Sequence, residues 1–350
     1  MSMSKEELAK AFATSGNSPK YIFGRTKYAA EVCKYVSISG FVDETTGDAL
    51  FEGLPVIHSL ADLPDGALVL NGVVEGAAWA VEEKLAEWGG GHIDYFSLVK
   101  YGWFPLSIEY WSGFADSYRA NRSEYKTLRN LLADELSKQT FDHLVRFRLN
   151  HDICEMAEFS MNLSGQYFEP FLRLEKRGES FCDVGGFDGG TTLNFIKHCP
   201  QYEKVYYWEP EPGAMAASKA ALGPFSRIEF ISMGASDKKL TMHFKRDGNA
   251  SKISDNGDIS ISVSRIDDEI KERVTFIKMD IEGSEVDAIH GARETILRHQ
   301  PKLAVCAYHK GDDFIQIPKA VLDIRTDYDV YLRHYTQGIC ETVMFFMPRG

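Results

Sequence analysis

A glycine-rich stretch at residues 180–192, SFCDVGGFDGGTT, constrains the fold of this 350-residue chain more than any other feature. The apolar run at residues 181–184 has the length of a buried strand, and it ends at two consecutive glycines. After a second glycine pair, a helical pattern begins near Thr191. A strand, a glycine-rich turn and a helix in this order place a ligand at the carboxyl end of a strand in an open α/β sheet, because glycines let the backbone approach it closely.

An acidic residue follows the next predicted strand. Residues 204–208, KVYYW, have the pattern of a second buried strand, and Glu209 comes directly after it. A carboxylate in this position accepts hydrogen bonds from the two hydroxyls of a ribose. A dinucleotide-binding turn would read G-x-G-x-x-G, whereas here Asp183 precedes the glycines. The order DVGGFDGG resembles the first motif of methyltransferases that use S-adenosylmethionine (AdoMet).

A second motif makes the resemblance specific. Residues 276–285, FIKMDIEGSE, resemble the K-x-D-x-E-G-x-E signature of the FkbM family of methyltransferases. The similarity extends from residue 133 to the carboxyl terminus, with several spaced motifs in the same order. It implies a class I methyltransferase domain, which is an α/β fold with a doubly wound, seven-stranded sheet, and AdoMet as the cofactor. The cofactor-binding residues that it implies are Asp183, Gly185, Gly186, Asp188, Gly189, Thr191, Glu209, Ala235 and Ser236.

The amino-terminal third has its own alternation of strands and helices. Four short apolar runs between residues 20 and 71 are separated by helical patterns, which predicts a small parallel sheet flanked by helices. This part resembles the Rossmann-like domains found beside sugar-modifying enzymes. We therefore expect a small Rossmann-like α/β domain at residues 1–100, an aromatic and helical linker at 101–177 and the methyltransferase domain at 178–350.

The first turn of the amino-terminal domain leaves two interpretations open. Residues 24–29, GRTKYA, keep only the first glycine of a dinucleotide fingerprint, with Arg25 and Lys27 available for a phosphate and Asp43 for a ribose. The alternative is a cofactor-free domain that packs, dimerises or shapes the acceptor cleft, with these charges solvated. A homodimer therefore stays open alongside a nucleotide-binding role.

Composition narrows the partners and the compartment. The net charge is −12, which argues against nucleic acid as the acceptor because phosphates need a basic face. The 6 cysteines form no C-x-x-C pair and no Cys/His metal spacing, which favours reduced thiols. No apolar run reaches the ~18 residues of a membrane helix, and the first residues lack the pattern of a signal peptide. We expect a cytoplasmic enzyme that binds neither nucleic acid nor a membrane.

The ends of the fourth and fifth predicted strands of the second domain supply the candidate catalytic groups. An alcohol gives up its proton reluctantly, so a base or a metal helps to remove it. His309 is the first candidate for the base because imidazole titrates near neutrality. Asp280 and Glu282 are candidates for acceptor binding, for the base or for metal ligation, but two acids alone do not make a metal site, and no metal is predicted. The expected substrate-binding residues are Tyr167, Lys278 and Tyr308.

These features together predict an AdoMet-dependent O-methyltransferase that acts on a hydroxyl of a sugar, nucleotide sugar or glycan. Methylation of a polyketide-type or other small-molecule hydroxyl is one alternative. A non-catalytic nucleotide-sugar-binding protein with a methyltransferase fold is another, although Asp183, the glycines and Glu209 are all present. A third is an NAD-linked oxidoreductase that uses the amino-terminal sheet, and the degraded turn at Gly24 argues against it.

Overall fold

The chain forms two compact units, each assembled from segments that are separate in the sequence. The computed structural model describes residues 3–14, 16, 18–247, 250–253 and 259–349, and for 242–247, 250–253 and 259 it describes the backbone alone. Unit 1 comprises Met1–Ala115, Gln139–Leu163 and His334–Glu341, and unit 2 comprises Asp116–Lys138, Ser164–Arg333 and Thr342–Gly350. The three-part division expected from the sequence stays a prediction.

Unit 1 is organised around a six-stranded sheet. Its strands are β1 (Lys20–Phe23), β2 (Gly40–Val42), β3 (Leu50–Phe51), β4 (Leu54–Ile57), β5 (Leu68–Asn71) and β6 (Gly91–Asp94). They lie in the order β3-β4-β2-β1-β5-β6; all neighbours are parallel except β3, which is antiparallel to β4 at the edge. This is the parallel α/β arrangement that the alternating pattern predicts. The sequence reading missed β6 because the segment GHID contains no apolar run.

Polar side chains begin three of the four helices that lie within unit 1. These helices are α1 (Lys5–Ala13), α2 (Lys27–Val32), α3 (Ala78–Trp88) and α4 (Tyr95–Tyr101). Ser4 and Glu7 form a capping box at the start of α1. The side chains of Thr26 and Asp94 accept backbone N–H groups in the first turns of α2 and α4. Each cap satisfies donors that have no partner inside the helix, so these starts are determined locally.

Three further helices join or cross the units. Helices α5 (Phe114–Ala120) and α7 (Glu135–Asn150) each continue from one unit into the other, and α6 (Arg122–Leu131) belongs to unit 2. Short 3-10 turns occupy Leu60–Asp62, Ile153–Met156 and Pro170–Leu172.

Unit 2 contains the seven-stranded sheet that the sequence predicts. The strands after α7 are β7 (Ser180–Val184), β8 (Lys204–Trp208), β9 (Ile228–Ile231), β10 (Gly234–Ala235), β11 (Leu240–Asp247), β12 (Ala250–Ile253), β13 (Ile259–Ser264), β14 (Phe276–Met279), β15 (Lys302–Cys306), β16 (Tyr328–His334) and β17 (Thr342–Pro348). The seven-stranded order is β9-β8-β7-β14-β15-β17-β16, parallel from β9 to β15, with β17 antiparallel to β15. A separate four-stranded sheet has the order β10-β13-β11-β12.

Six helices follow the strands of unit 2 in the described part of the chain, and one of them is capped by a side chain from another helix. They are α8 (Gly190–His198), α9 (Pro212–Leu222), α10 (Ile266–Glu269), α11 (Glu285–Gly291), α12 (Arg293–His299) and α13 (Asp313–Ile324). Ala292 separates α11 from α12. The buried Asp267 side chain accepts N–H groups from Glu294 and Thr295 and so caps α12 from outside the helix.

The core of unit 2 holds the carboxyl ends of its central strands in place. All five residues of β7 are buried. The Phe181 ring stacks on Phe195 of α8 with 4.5 Å between centroids, and on Phe276 of β14 at 5.0 Å. Close-packed aromatic contacts of this kind resist displacement of the strand. In the described part of the chain, every helix is too short or too polar to cross a bilayer.

Candidate functional site

Two glycines after β7 let neighbouring parts of unit 2 approach the turn closely. Gly185 has φ +79°, and a Cβ there would lie well inside 3.0 Å of the carbonyl oxygen of Asp280. A Cβ on Gly186 would overlap the ring of Tyr207. These two glycines were expected to make room for a cofactor. In the structure they make room for the Asp280 carbonyl, which follows β14, and for the Tyr207 ring of β8.

The second glycine pair begins helix α8. Gly189 is the left-handed N-cap residue at φ +85°, and Asp188 accepts the N–H of Gly190 at 2.8 Å. Thr191 is half-buried. The next residue, Thr192, is fully buried and donates its hydroxyl to Asp183 Oδ2 at 2.7 Å. The sequence singled out Thr191 as a cofactor ligand, whereas Thr192 carries the contact to the end of the strand.

Asp183 forms a buried ion pair with Lys278. Their Oδ1 and Nζ atoms are 3.3 Å apart, and Lys278 also donates to the carbonyl oxygen of Gly185. Burial alone would lower the pKa of Lys278, but the carboxylates of Asp183 and Asp280 outweigh it and hold the pKa above its usual range. The ammonium group expected to bind substrate is thus enclosed in unit 2 and bonded to the glycine turn. Its role toward substrate stays a prediction.

Glu209 connects the end of β8 to the turn after β7. Its Oε2 accepts the N–H of Phe187 at 2.9 Å, and its Oε1 accepts the N–H of Glu211 at 2.8 Å. Burial raises the pKa of Glu209, and the two backbone donors oppose that rise. Phe187 has φ +50°, and its carbonyl accepts bonds from Tyr207 and Ser218. Its backbone is therefore held on both sides while its ring is 70% exposed.

Two of the predicted cofactor contacts, Ala235 and Ser236, lie on or beside the four-stranded sheet and not on the seven-stranded one. Ala235 ends β10, and Ser236 follows it; both are buried. The Ser236 N–H donates to Ser264 of β13 at 2.9 Å, and its hydroxyl lies 3.3 Å from Asp237 Oδ1. The contacts described for these two residues are to their own sheet and to α11, where Gly291 leaves room for the Ser236 carbonyl.

Three predicted residues and one further acid meet beyond the ends of β14 and β15. His309 Nδ1 lies 3.0 Å from Glu285 Oε1, and its Nε2 lies 3.5 Å from Asp280 Oδ1 and 3.9 Å from Glu282 Oε2. We call Asp280, Glu282, Glu285 and His309 the acid–histidine cluster. Two predicted substrate contacts join it, because the hydroxyls of Tyr167 and Tyr308 donate to Asp280 at 3.0 Å and 3.4 Å.

The charges around His309 shift its pKa away from neutrality, which was the reason for proposing it as the base. Burial alone would lower its pKa, but Glu285, Asp280 and Glu282 outweigh burial and raise the pKa to about 10. The imidazole is consequently protonated at neutral pH, whereas the sequence expectation assumed titration near neutrality. The pKa of Asp280 is lowered despite burial, by Lys278, by His309 and by the Tyr167 hydroxyl. Asp280 is therefore the ionised partner of a charged imidazole.

This arrangement can be compared with known proteins. Residues 183–337 match the family model described as the methyltransferase FkbM domain. The crystal structure of a methyltransferase FkbM from Methylobacillus flagellatus KT is 26% identical and superposes with a TM-score of 0.76, covering 97% of this chain and 92% of that one. Residues 183–337 therefore form a methyltransferase FkbM domain.

A curated relative aligns over a smaller region. The 2-O-methyltransferase NoeI of Sinorhizobium fredii (strain NBRC 101917 / NGR234) is 26% identical, with 36% of this chain and 62% of that protein covered. The alignment therefore spans less than two thirds of NoeI. The fold agrees with the predicted class, since a mostly parallel seven-stranded sheet follows a smaller α/β sheet in the chain.

The turn after β1 has its charges paired within unit 1. Arg25 contacts Asp43 and Asp48, each at 2.8 Å. Lys27 contacts Glu75 at 3.0 Å and also Glu109. The cations considered for a phosphate are thus neutralised by local carboxylates. The pairing favours the cofactor-free interpretation of this turn.

Two residues of the FkbM domain that shape the site were not singled out from sequence. Glu285 belongs to the signature, but its partner His309 lies 24 positions further on, so only the adjacency of β14 and β15 reveals the contact. The only sequence signal for Thr192 was its position two residues after the second glycine pair, where a hydroxyl can reach the end of β7. Its bond to Asp183 depends on how α8 leaves the sheet.

Proposed function

We propose that this protein transfers the methyl group of AdoMet to a hydroxyl of a carbohydrate acceptor. The FkbM methyltransferase domain at residues 183–337 supports methyl transfer, and the similarity to NoeI, a 2-O-methyltransferase, supports oxygen as the methylated atom. The observation that carries the donor assignment is the position of Glu209 at the end of β8, hydrogen-bonded to the glycine-rich turn.

Glu209 fits a ribose because its carboxylate is both oriented and incompletely used. Each of its two oxygens accepts one backbone N–H, which fixes the plane of the group and leaves acceptor capacity on each oxygen. A ribose offers two adjacent hydroxyl donors, which match two carboxylate oxygens at the end of a second strand. Asp183 contributes differently, because its bonds to Lys278 and Thr192 keep it inside unit 2, where it supports the turn.

The acid–histidine cluster is the proposed acceptor side. AdoMet supplies a methyl group that its sulfonium already activates, so the protein must align the acceptor oxygen and receive its proton. Glu282 suits the second task because its side chain is 65% exposed beside His309. Glu282 also has φ +55°, a strained conformation for a non-glycine residue that often marks a functional position.

The donor assignment is tested by isothermal titration calorimetry with AdoMet and S-adenosylhomocysteine. Wild type is expected to bind both, and Glu209→Ala is expected to weaken binding by at least tenfold. Glu229→Gln is the matched control, because Glu229 lies on the neighbouring strand β9 and its carboxylate contacts Lys204 at 2.8 Å. Equal AdoMet affinity in wild type and Glu209→Ala would remove the donor assignment.

The acceptor class is tested by following methyl transfer from labelled AdoMet. Free sugars, nucleotide sugars, oligosaccharides and polyketide-type alcohols form the panel. Transfer to a carbohydrate hydroxyl, lost in Glu282→Gln, would support the proposal. Transfer only to polyketide-type alcohols would replace the acceptor class, and binding of a nucleotide sugar without any transfer would favour a non-catalytic protein.

A further inference from the structure

The geometry of the acid–histidine cluster points to a divalent metal ion. We propose that Asp280, Glu285 and His309 bind one divalent transition-metal ion, of the Mn²⁺ or Zn²⁺ type. One oxygen from each acid and one ring nitrogen lie within 4.8 Å of one another. The sequence analysis considered only Asp280 and Glu282 as metal ligands, whereas the fold brings Glu285 and His309 beside Asp280.

The distance between His309 and Asp280 is more suitable for a shared ion than for a direct bond. Their Nε2 and Oδ1 atoms are 3.5 Å apart, beyond the usual range of a hydrogen bond. Two donors at that separation, each about 2.1 Å from one ion, subtend an angle of about 113° at it. This is close to the angle between ligands of a tetrahedral ion.

Glu285 provides an independent indication of a ligand. Its side chain is 1% exposed, and its Oε1 accepts the N–H groups of Ile281 and Gly283. Its Oε2 is buried and receives no hydrogen bond from the residues that the structure describes. A buried carboxylate oxygen without a donor is costly, and a bound cation would supply the missing interaction.

The charge of the region favours a cation. Lys278 is matched by Asp183, with which it shares the register of β14 and β7. The remaining carboxylates are those of Asp280, Glu282 and Glu285, gathered around the single imidazole of His309. Carboxylates in excess over cations are stabilised when they coordinate a metal, most of all where one of them, here Glu285, is buried.

The donor set selects the class of metal. Two carboxylates and one imidazole form a mixed oxygen and nitrogen set, which suits Mn²⁺, Fe²⁺ or Zn²⁺ better than Ca²⁺ or Mg²⁺. A bound ion would lower the pKa of an acceptor hydroxyl that coordinates it, with the exposed Glu282 nearby to receive the proton. Only this activating role rests on the proposed methyl transfer; metal binding does not.

The test measures metal binding without AdoMet or acceptor. Chelator-treated, dialysed protein is titrated with Mn²⁺ while free Mn²⁺ is followed by electron paramagnetic resonance. One ion per chain is expected, with competition by Zn²⁺ and weak competition by Mg²⁺. Glu285→Gln, which keeps an oxygen for the Ile281 and Gly283 N–H groups, and Asp280→Asn are each expected to weaken binding at least tenfold.

Asp287→Asn is the matched control, because it removes one exposed acid from the same helix, two residues beyond Glu285. It is expected to bind Mn²⁺ like wild type. Circular dichroism melting checks that each variant is folded. Absence of stoichiometric Mn²⁺ binding by wild type, or equal binding by a folded Glu285→Gln, would overturn the metal site. AdoMet calorimetry reports separately on the proposed function, so the two failures are distinguishable.

Discussion

Lys278 and Asp183 are register partners on adjacent strands, and their charged groups lie 3.3 Å apart with both side chains buried. The pair links the carboxyl ends of β14 and β7, where the glycine-rich turn begins. Lys278 also donates to the Gly185 carbonyl, so one ammonium group links the central strands to the turn. The geometry of the proposed donor site therefore depends on a buried ion pair.

Removing one partner of this pair should destabilise unit 2 strongly. We expect Lys278→Met to lower the free energy of unfolding by about 3–5 kcal/mol, because it leaves the Asp183 carboxylate buried without its cation. Lys278→Met combined with Asp183→Asn should recover part of the loss. Lys204→Met is the control: its contact with Glu229 is half-exposed and should contribute about 1 kcal/mol or less. Urea unfolding measures all of these, and a loss for Lys278→Met no greater than for Lys204→Met would contradict the expectation.

Gly185 should tolerate a methyl group much less than another glycine of the same conformation. Gly178 has φ +78° with nothing within 4 Å of an added Cβ, whereas Gly185 has φ +79° with the Asp280 carbonyl in that place. Gly178→Ala should cost about 1–2 kcal/mol through the left-handed backbone alone. Gly185→Ala should cost clearly more in the same unfolding assay. Equal losses would mean that the turn can move away from β14.

Phe187→Asn should increase stability. The phenyl ring is largely exposed, so little buried surface is lost, and asparagine adopts the left-handed conformation of this position more easily than phenylalanine. A gain of up to about 1 kcal/mol is expected from thermal or urea unfolding. A clear loss of stability would show that the ring makes contacts that outweigh the backbone strain.

The pKa values of His309 and His334 should be shifted in opposite directions, although both side chains are buried. The pKa of His309 is raised to about 10 by the carboxylates around it, whereas burial and Arg148 lower the pKa of His334 to about 3. Nuclear magnetic resonance of ¹⁵N-labelled histidine in the presence of a chelator should show His309 charged and His334 neutral at pH 7. Glu285→Gln should lower the pKa of His309 and leave that of His334 unchanged. A neutral His309 at pH 7 would refute this prediction.

The same shift has a consequence for stability. Because the folded-state pKa of His309 lies above its ordinary value, its contribution is fully present below about pH 6.5 and is lost as the pH rises toward 10. In chelator-treated protein, the free energy of unfolding should fall over that interval in wild type and fall less in Glu285→Gln. Identical pH dependence in the two proteins would assign the change to other groups.

Local patterns in the sequence were sufficient for the strand–turn–helix unit and for the position of Glu209 directly after β8, and the family resemblance implied the seven-stranded sheet. Short, mainly apolar runs and glycines at positive φ report on their own backbone, so β7, β8 and the start of α8 agree with the prediction to within a residue or two. Elements with mixed local signals were missed: β6 lacks an apolar run, and α13 has Pro318 inside it.

The sequence by itself thus determined the fold class and the family of the second domain. Short segments, whose backbone conformation depends on nearby residues, were enough to identify both. Only the tertiary structure decided the pairing of Lys278 with Asp183 and the contact of His309 with Glu285. Those pairs are far apart in the chain, and strand register and burial bring them together. The carboxylates around His309 outweigh its burial and raise its pKa, so the expected neutral base is a charged imidazole, which residue type alone does not specify.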